Sequence, residues 1–224
     1  MIARGRLVAR AGRLLARVPE PPWRRIFTTG PARFDRTWRV RPEEFDLGAG
    51  AVPVLRLVSA VITALEERPL ARGDLHAALL DRRGAWITTA AVAGFAAELD
   101  GLAATLSTDY QILAFGRRRE AMARAVNRLL RVKGGVVLVD GERVVFELPL
   151  PIGGVMAPAP LPELARREEE LKALLMARGY AFHDPLFTLY FMVADFLPSV
   201  RLSACGVWDV KRARIIKPSR RRPR

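Results

Sequence analysis

AMARAVNRLLRVKGGVVLVDGERVVFELPLPIGGVM, residues 121–156, spells out a helix, a strand, a tight turn and a second strand. Met122, Val126, Leu129 and Leu130 fall at i, i+4, i+7 and i+8, one apolar stripe that predicts a helix over the first part. Gly134 and Gly135 follow Lys133 and supply the positive φ at which helices commonly stop. Val136 to Val139 and Arg143 to Leu148 flank Asp140-Gly141, and that dipeptide predicts a hairpin closed by a type I′ turn. Pro149 and Pro151 lack ladder donors, so pairing ends there or the second strand lies at a sheet edge.

Downstream, Pro162 to Arg178 reads as an amphipathic helix, with Leu164, Leu171, Leu174 and Leu175 on one face and Glu168 to Glu170 on the other. Asp184-Pro185 is an N-cap and first-turn signature for a third, short helix, Leu186 to about Phe196. Val200 to Ser203 and Val207 to Val210 form a predicted hairpin around Cys205-Gly206, with Cys205 as a small core residue. Upstream, Val54 to Leu65 fits a strand or a buried helix, and periodicity does not choose between them. Leu75 to Leu80 and Gly84 to Thr89 are a predicted strand pair with Gly84 near the turn, and Ile112 to Phe115 is a further strand. Helices alternating with paired strands predict an α+β class, a mostly antiparallel β-sheet covered by helices.

The compact part is expected to begin at Trp38. Pro19 to Phe34 is a linker by composition, with Trp23 and Phe27 pinning it to a surface. In Met1 to Leu15 the triplet GRL occurs at Gly5 and again at Gly12. Internal glycines cost a helix about 1 kcal/mol each, so short strands with a turn are predicted there. The expected organisation is a hairpin and linker over 1–37, an α+β domain over 38–216 and a basic tail over 217–224.

The net charge is +14, which raises nucleic acid as a partner. Its position argues otherwise, because residues 1–41 hold 11 Arg against Glu20 and Asp35, and residues 211–224 hold eight basic groups and no acid. The body between them is close to neutral. The Lys217 to Arg224 end has no aromatic side chain to stack on a base and is expected to be solvated. One cysteine excludes an internal disulfide, and the longest strongly apolar run, Phe187 to Leu197, is broken by Asp195 and short of the roughly 20 residues that cross a bilayer. The expectation is a soluble cytoplasmic protein with no membrane partner.

The run from Ala125 to Met156, down to ELPLPIGGVM, resembles the C-terminal region of the bacterial adenine deaminases of the amidohydrolase superfamily. A second block agrees, DPLFTLYFMVADFLPSVRLSACGVWDV over 184–210, and weaker similarity runs back to Met1. The resemblance implies the part of such an enzyme outside its metal-bearing barrel. It also implies that the N-terminal β-hairpin is left over from the amidohydrolase β-sandwich, whose other strands come from elsewhere. A lone hairpin is marginal in water, so it packs on its own domain or another polypeptide supplies the edge.

In the family a His-Asp-Ser-His-Asn run precedes a strand, as if facing the mouth of the barrel. This chain has Ser107-Thr108-Asp109-Tyr110-Gln111 in that place, and Arg83 where the family usually has a histidine. Ser107, Asp109, Tyr110 and Gln111 are therefore the candidate active-site-facing residues, beside the plainer reading of a polar loop that starts a strand. No catalytic residue is assigned. Deamination in the superfamily relies on divalent metal activating a water, and a site of that type needs about three protein ligands. His76 and His183 stand far apart with no HxH, HExxH or CxxC pattern, so packing or surface roles are expected for both and no cofactor is expected in this chain. Lys133-Gly134-Gly135 closes a helix instead of opening one, unlike a phosphate loop. The expected partner is a separate amidohydrolase barrel chain, or a second copy of this chain. The other reading is a repurposed module binding a small ligand on the old active-site face or nucleic acid on its basic ends.

Overall fold

A computed structural model describes residues 1–17, 19, 21–23, 35 and 37–222. Most of the expected linker, Phe27 included, lies outside the described residues, as do residues 223–224. The chain begins with two successive hairpins, β1 (Ile2–Ala3) with β2 (Arg6–Leu7), then β3 (Ala9–Arg10) with β4 (Arg13–Leu14). Their turns are Arg4-Gly5 and Ala11-Gly12, all four residues at positive φ, as a type I′ turn requires. The repeated triplet is thus a repeated turn.

A 3-10 turn, Pro42–Phe45, leads into β5 (Val52–Leu57), β6 (Thr63–Arg68), β7 (Leu75–Leu80), β8 (Trp86–Ala93), β9 (Gly101–Ala104) and β10 (Ile112–Gly116). The ambiguous stretch from Val54 is therefore a hairpin. Then come helix α1 (Arg119–Val132), β11 (Gly135–Asp140), β12 (Arg143–Pro149), α2 (Leu161–Met176) and α3 (Pro185–Phe191). The chain closes with β13 (Val200–Ser203), β14 (Gly206–Asp209), β15 (Arg214–Pro218) and β16 (Arg220–Arg221).

The main sheet runs β12-β11-β9-β10-β7-β8-β5-β6, with β16 also on β8. Every pair is antiparallel except β5 with β8. With its helices the architecture is α+β. Alternation along the strands divides the core: Leu113, Phe115, Val136 and Leu138 point to one face, Ile112, Ala114, Val137 and Val139 to the other. On the second face α1 buries Met122, Val126, Leu129 and Leu130 completely. On the first lie α2 through Leu171 and Leu175, α3 through Leu189, and the small sheet β13-β14-β15 through Val200, Leu202 and Val207. Central strands covered on both sides read as near-continuous apolar runs. Gly101 lets α1 approach so closely, since a Cβ there would run into the Ala121 backbone.

The hairpin β11–β12 departs from expectation in one detail. Asp140 pairs with Arg143, so the loop is Gly141-Glu142, and only Gly141 has positive φ (+55°). Glycine at the first central position is the type II′ pattern, which needs no positive φ at the next residue. A bulge follows, because Leu138 faces Phe146 while Val139 faces Val144. As Pro149 requires, β12 is an edge strand. At the end of α1 it is Lys133 that takes the left-handed position, with φ 68°, ahead of the two glycines.

Asp184 caps α3 as expected, accepting from the amides of Leu186 and Phe187, but the helix stops at Phe191. Cys205 is exposed in the β13–β14 turn and is no core residue. The solvated tail is corrected too. Lys217 and Pro218 belong to β15, Arg220 and Arg221 pair with Ile87 and Trp86 of β8, and Arg222 is buried. Charge composition suggested solvation, whereas β8, being eight residues long, leaves its first residues free for a strand that β5 does not reach.

Candidate functional site

The register brings five strand ends, those of β7, β9, β10, β11 and β12, to one end of the main sheet. Leu80 pairs with Ile112, Ala104 with Val136, and Gly135 with Pro149. The turn after β7, the loop before β10 and the loop after β12 therefore meet there, which places Asp81-Arg82-Arg83 beside Ser107–Gln111 and Ile152–Met156.

Arg82 ties them together. Its side chain is 1% exposed, and its guanidinium donates to the carbonyl of Tyr110 and, at 3.3 Å, to that of Gly153. Its amide donates to Gln111 Oε1 at 3.0 Å and its carbonyl accepts from the Trp38 indole at 3.2 Å. Burial pushes the guanidinium pKa down to about 10, partly opposed by Asp109 and Asp81, so it stays charged at neutral pH. A second tie runs through Thr105, whose hydroxyl donates to Gly154 O at 2.5 Å and accepts from the Gly135 amide at 2.7 Å.

Within the loop, Asp109 Oδ1 accepts from Ser107 Oγ at 2.9 Å and from the Gln111 amide at 3.0 Å. Burial raises the Asp109 pKa above the usual carboxylate value, against the pull of those bonds and of Arg82. Ser107 is buried and spends its hydroxyl proton on Asp109. Tyr110 adopts φ 61°, a left-handed conformation costly for a side chain of its size, and the residue is 51% exposed. The Arg82 hydrogen bond to its carbonyl holds that conformation. Of the four candidates, the structure joins Ser107, Asp109 and Gln111 in one hydrogen-bonded turn and presents Tyr110 outward.

Arg82 had no motif to mark it. Its signal is a charged triplet, Asp81-Arg82-Arg83, between two apolar strands, and the family resemblance marks instead its neighbour Arg83, which is exposed. The histidines occupy unrelated places. His76 Nδ1 lies 3.2 Å from Phe45 O, and burial holds its pKa below the ordinary value. His183 packs its ring 6.1 Å from that of Phe187. Among the described residues no group of three or more His, Cys, Asp or Glu gathers to hold a metal. No helix among the described residues is long and apolar enough to cross a membrane.

Comparison with known proteins gives this geometry a context. A Bacillus cereus protein named "Putative adenine deaminase" is 38% identical over 140 residues, 62% of this chain and 24% of its own length. Adenine deaminases of Archaeoglobus fulgidus and Shigella sonnei are 29% and 33% identical over 187 and 138 residues, covering 80% and 60% of this chain and 34% and 24% of theirs. The chain thus spans about a quarter of the length of the curated relatives it matches. Residues 60–214, more than half of the chain and with both loops inside them, match the family described as the adenine deaminase C-terminal domain, and the chain belongs to this family.

Proposed function

We propose that this domain packs against an amidohydrolase barrel lying outside residues 1–224 and covers the active site in which that barrel hydrolyses adenine to hypoxanthine and ammonia, without supplying catalytic groups or metal of its own. The observation that carries this reading is the Arg82 clasp. It locks the loop with the family's PIGGVM run to the loop whose counterparts are polar in the family, and it holds the exposed Tyr110 in a left-handed conformation with the guanidinium against its ring. Strained residues held by a buried neighbour suit a surface that must meet another surface in a fixed shape. Divalent metal is a cofactor of the partner barrel on this reading.

The basic C-terminus gives less support to nucleic-acid binding, because Arg220 and Arg222 are engaged with Glu44. The test is an ammonia-release assay with metal analysis. The purified chain should release no ammonia from adenine and carry no stoichiometric metal, and adding it to a barrel stripped of its own C-terminal domain should restore turnover. Turnover by the chain alone, with bound zinc, iron or manganese, would overturn the proposal.

A further inference from the structure

Beside the 107–111 loop lies a run of aromatic rings, exposed at His183, Phe187 and Tyr190 and half-buried at Phe191, that the covering role leaves unused. The amide of Thr108 donates to Tyr190 O at 3.3 Å, which fastens α3 to the loop. From there the rings follow one another: Tyr190 meets Phe191 edge-on at 5.0 Å, Phe191 stacks on Phe187 at 5.9 Å, and Phe187 meets His183 at 6.1 Å. Phe187 is 45% exposed and Tyr190 37%, and Phe196, shortly after the helix, is 67% exposed. The opposite side of α3 supplies what holds it in place, since Leu189 is fully buried and Thr188 Oγ1 donates to Ala60 O at 2.6 Å. The outward aromatics therefore contribute little to this domain's own core.

We infer that this aromatic ledge, Phe187, Tyr190 and Phe191 with the exposed Phe196 that follows α3 in the chain, is a protein-docking surface, and that its occupant is the same barrel that receives Tyr110. The inference rests on the covering role proposed above and extends it from one loop to an area.

Three observations choose the occupant. The ledge is hydrogen-bonded to the loop that the covering role places at the barrel mouth, so a partner reaching Tyr110 meets α3 next. About three quarters of the length of the curated relatives lies outside the part this chain matches, so a large partner surface exists in the family. From Pro185 to Ala194 there is no charged side chain, and the charge beside Phe196, Asp195, is an anion. Nucleic acid would need cations beside the rings to meet its phosphates, and a surface-lying membrane helix would carry Lys or Arg on its flank. Uncharged, preordered aromatic rings are the composition that anchors protein–protein contacts.

The test co-expresses the full chain with the barrel of the Archaeoglobus fulgidus relative, lacking its own C-terminal domain and carrying an affinity tag. Wild-type chain should co-purify with the barrel, and Phe187→Ser with Tyr190→Ser should reduce capture at least tenfold. Phe196→Ser, outside the helix, serves as a second variant and should weaken capture without disturbing α3. Circular dichroism and the melting temperature of each variant alone should match wild type. If wild-type chain is not captured, the covering role fails and the ledge with it. Capture of wild type that survives all three substitutions overturns the ledge alone. Self-association of the wild-type chain that these substitutions abolish, with barrel capture intact, would assign the ledge to a second copy and also overturn the inference.

Discussion

The guanidinium of Arg222 grips the carboxylate of Glu44 with two nitrogens, Nε at 2.6 Å from Oε2 and Nη2 at 2.9 Å from Oε1, and lies 4.3 Å over the ring of Trp38. Nη2 also donates to Arg39 O and Nη1 to Gly84 O. The last strand is thereby clasped to the first turn of the compact domain. Removing one partner of a buried pair leaves the other charge uncompensated, so Arg222→Ala is expected to cost about 3 kcal/mol in urea unfolding. Burial acts to raise the Glu44 pKa, but the bonds from Arg222 and the Arg41 amide outweigh it and hold the carboxyl below its usual range. A depressed carboxylate pKa stabilises fully above the unfolded value and loses that contribution as pH falls through the folded one. The Tm gap between wild type and Glu44→Gln should therefore be widest at neutral pH and narrow below about pH 4. A gap independent of pH would show that the carboxylate's charge is not what holds the strand.

Gly135 is required by shape as well as by backbone angle. Its φ is 120°, and a Cβ there would fall on the Leu148 carbonyl oxygen, where β11 and β12 begin to pair. Gly135→Ala is expected to destabilise the domain by about 3 kcal/mol or more. By contrast, Gly141→Ala, in the open loop at the other end of the hairpin, meets only backbone strain of about 1 kcal/mol. Thermal melts of the two variants should keep that order.

The contrast between these two glycines shows what the sequence made legible. Local chemistry carried the helix, the hairpin and the edge position of β12, because stripe, breaker and proline all act within a few residues. Asp140-Gly141 is compatible with two turn types, and the loop lies one residue beyond the dipeptide, at Gly141-Glu142, with a bulge next to Val139 that shifts the strand register. What escaped was non-local. Arg82 reaches Gly153 across 71 residues and Arg222 reaches Glu44 across 178, and no pattern in either neighbourhood announces the other. Ser107, Asp109, Tyr110 and Gln111 were visible as a polar loop, yet the residue that fastens that loop was hidden in a turn.

Asp109 is held at a cost. Its pKa is raised by burial, so the ionised form opposes folding, and stability should fall as pH rises from the unfolded value near 4 through the folded one. Asp109→Asn keeps an oxygen that accepts from Ser107 and from the Gln111 amide while removing the charge. At pH 7 its Tm should equal or exceed that of wild type, and its pH dependence in this window should flatten. Asp109→Ala loses the acceptor and should be destabilised by about 1 kcal/mol. If Asp109→Asn is instead as damaging as Asp109→Ala, attraction to Arg82 outweighs the burial cost.

Arg82 binds two loops through one side chain, and that coupling is measurable. Arg82→Met keeps much of the apolar stem and removes the donors to Tyr110 O and Gly153 O. Amide hydrogen exchange should rise together over 105–111 and 151–156, by at least tenfold, while α1 and the central strands stay protected. Faster exchange in only one of the loops would show that the two are held independently.

The N-terminal hairpins should be separable from the rest. Met1 N donates to Ala9 O, the amides of Val8 and Ala9 donate to Met1 O, and those of Leu15 and Ala16 donate to Val8 O, so this network closes on itself. Met1, Ile2, Leu7, Leu14 and Leu15 are exposed, and none of them joins a core cluster. Two-residue strands of this kind, paired among the described residues only with one another, bury too little apolar surface to stabilise the main sheet. Deleting residues 1–15 is therefore expected to shift the Tm of the chain by less than about 2 °C, corresponding to roughly 0.5 kcal/mol. Such a deletion should also lower the apolar exposure sensed by a hydrophobic dye, because the exposed leucines leave with it. A loss of several degrees would mean that these strands pack on the main domain after all.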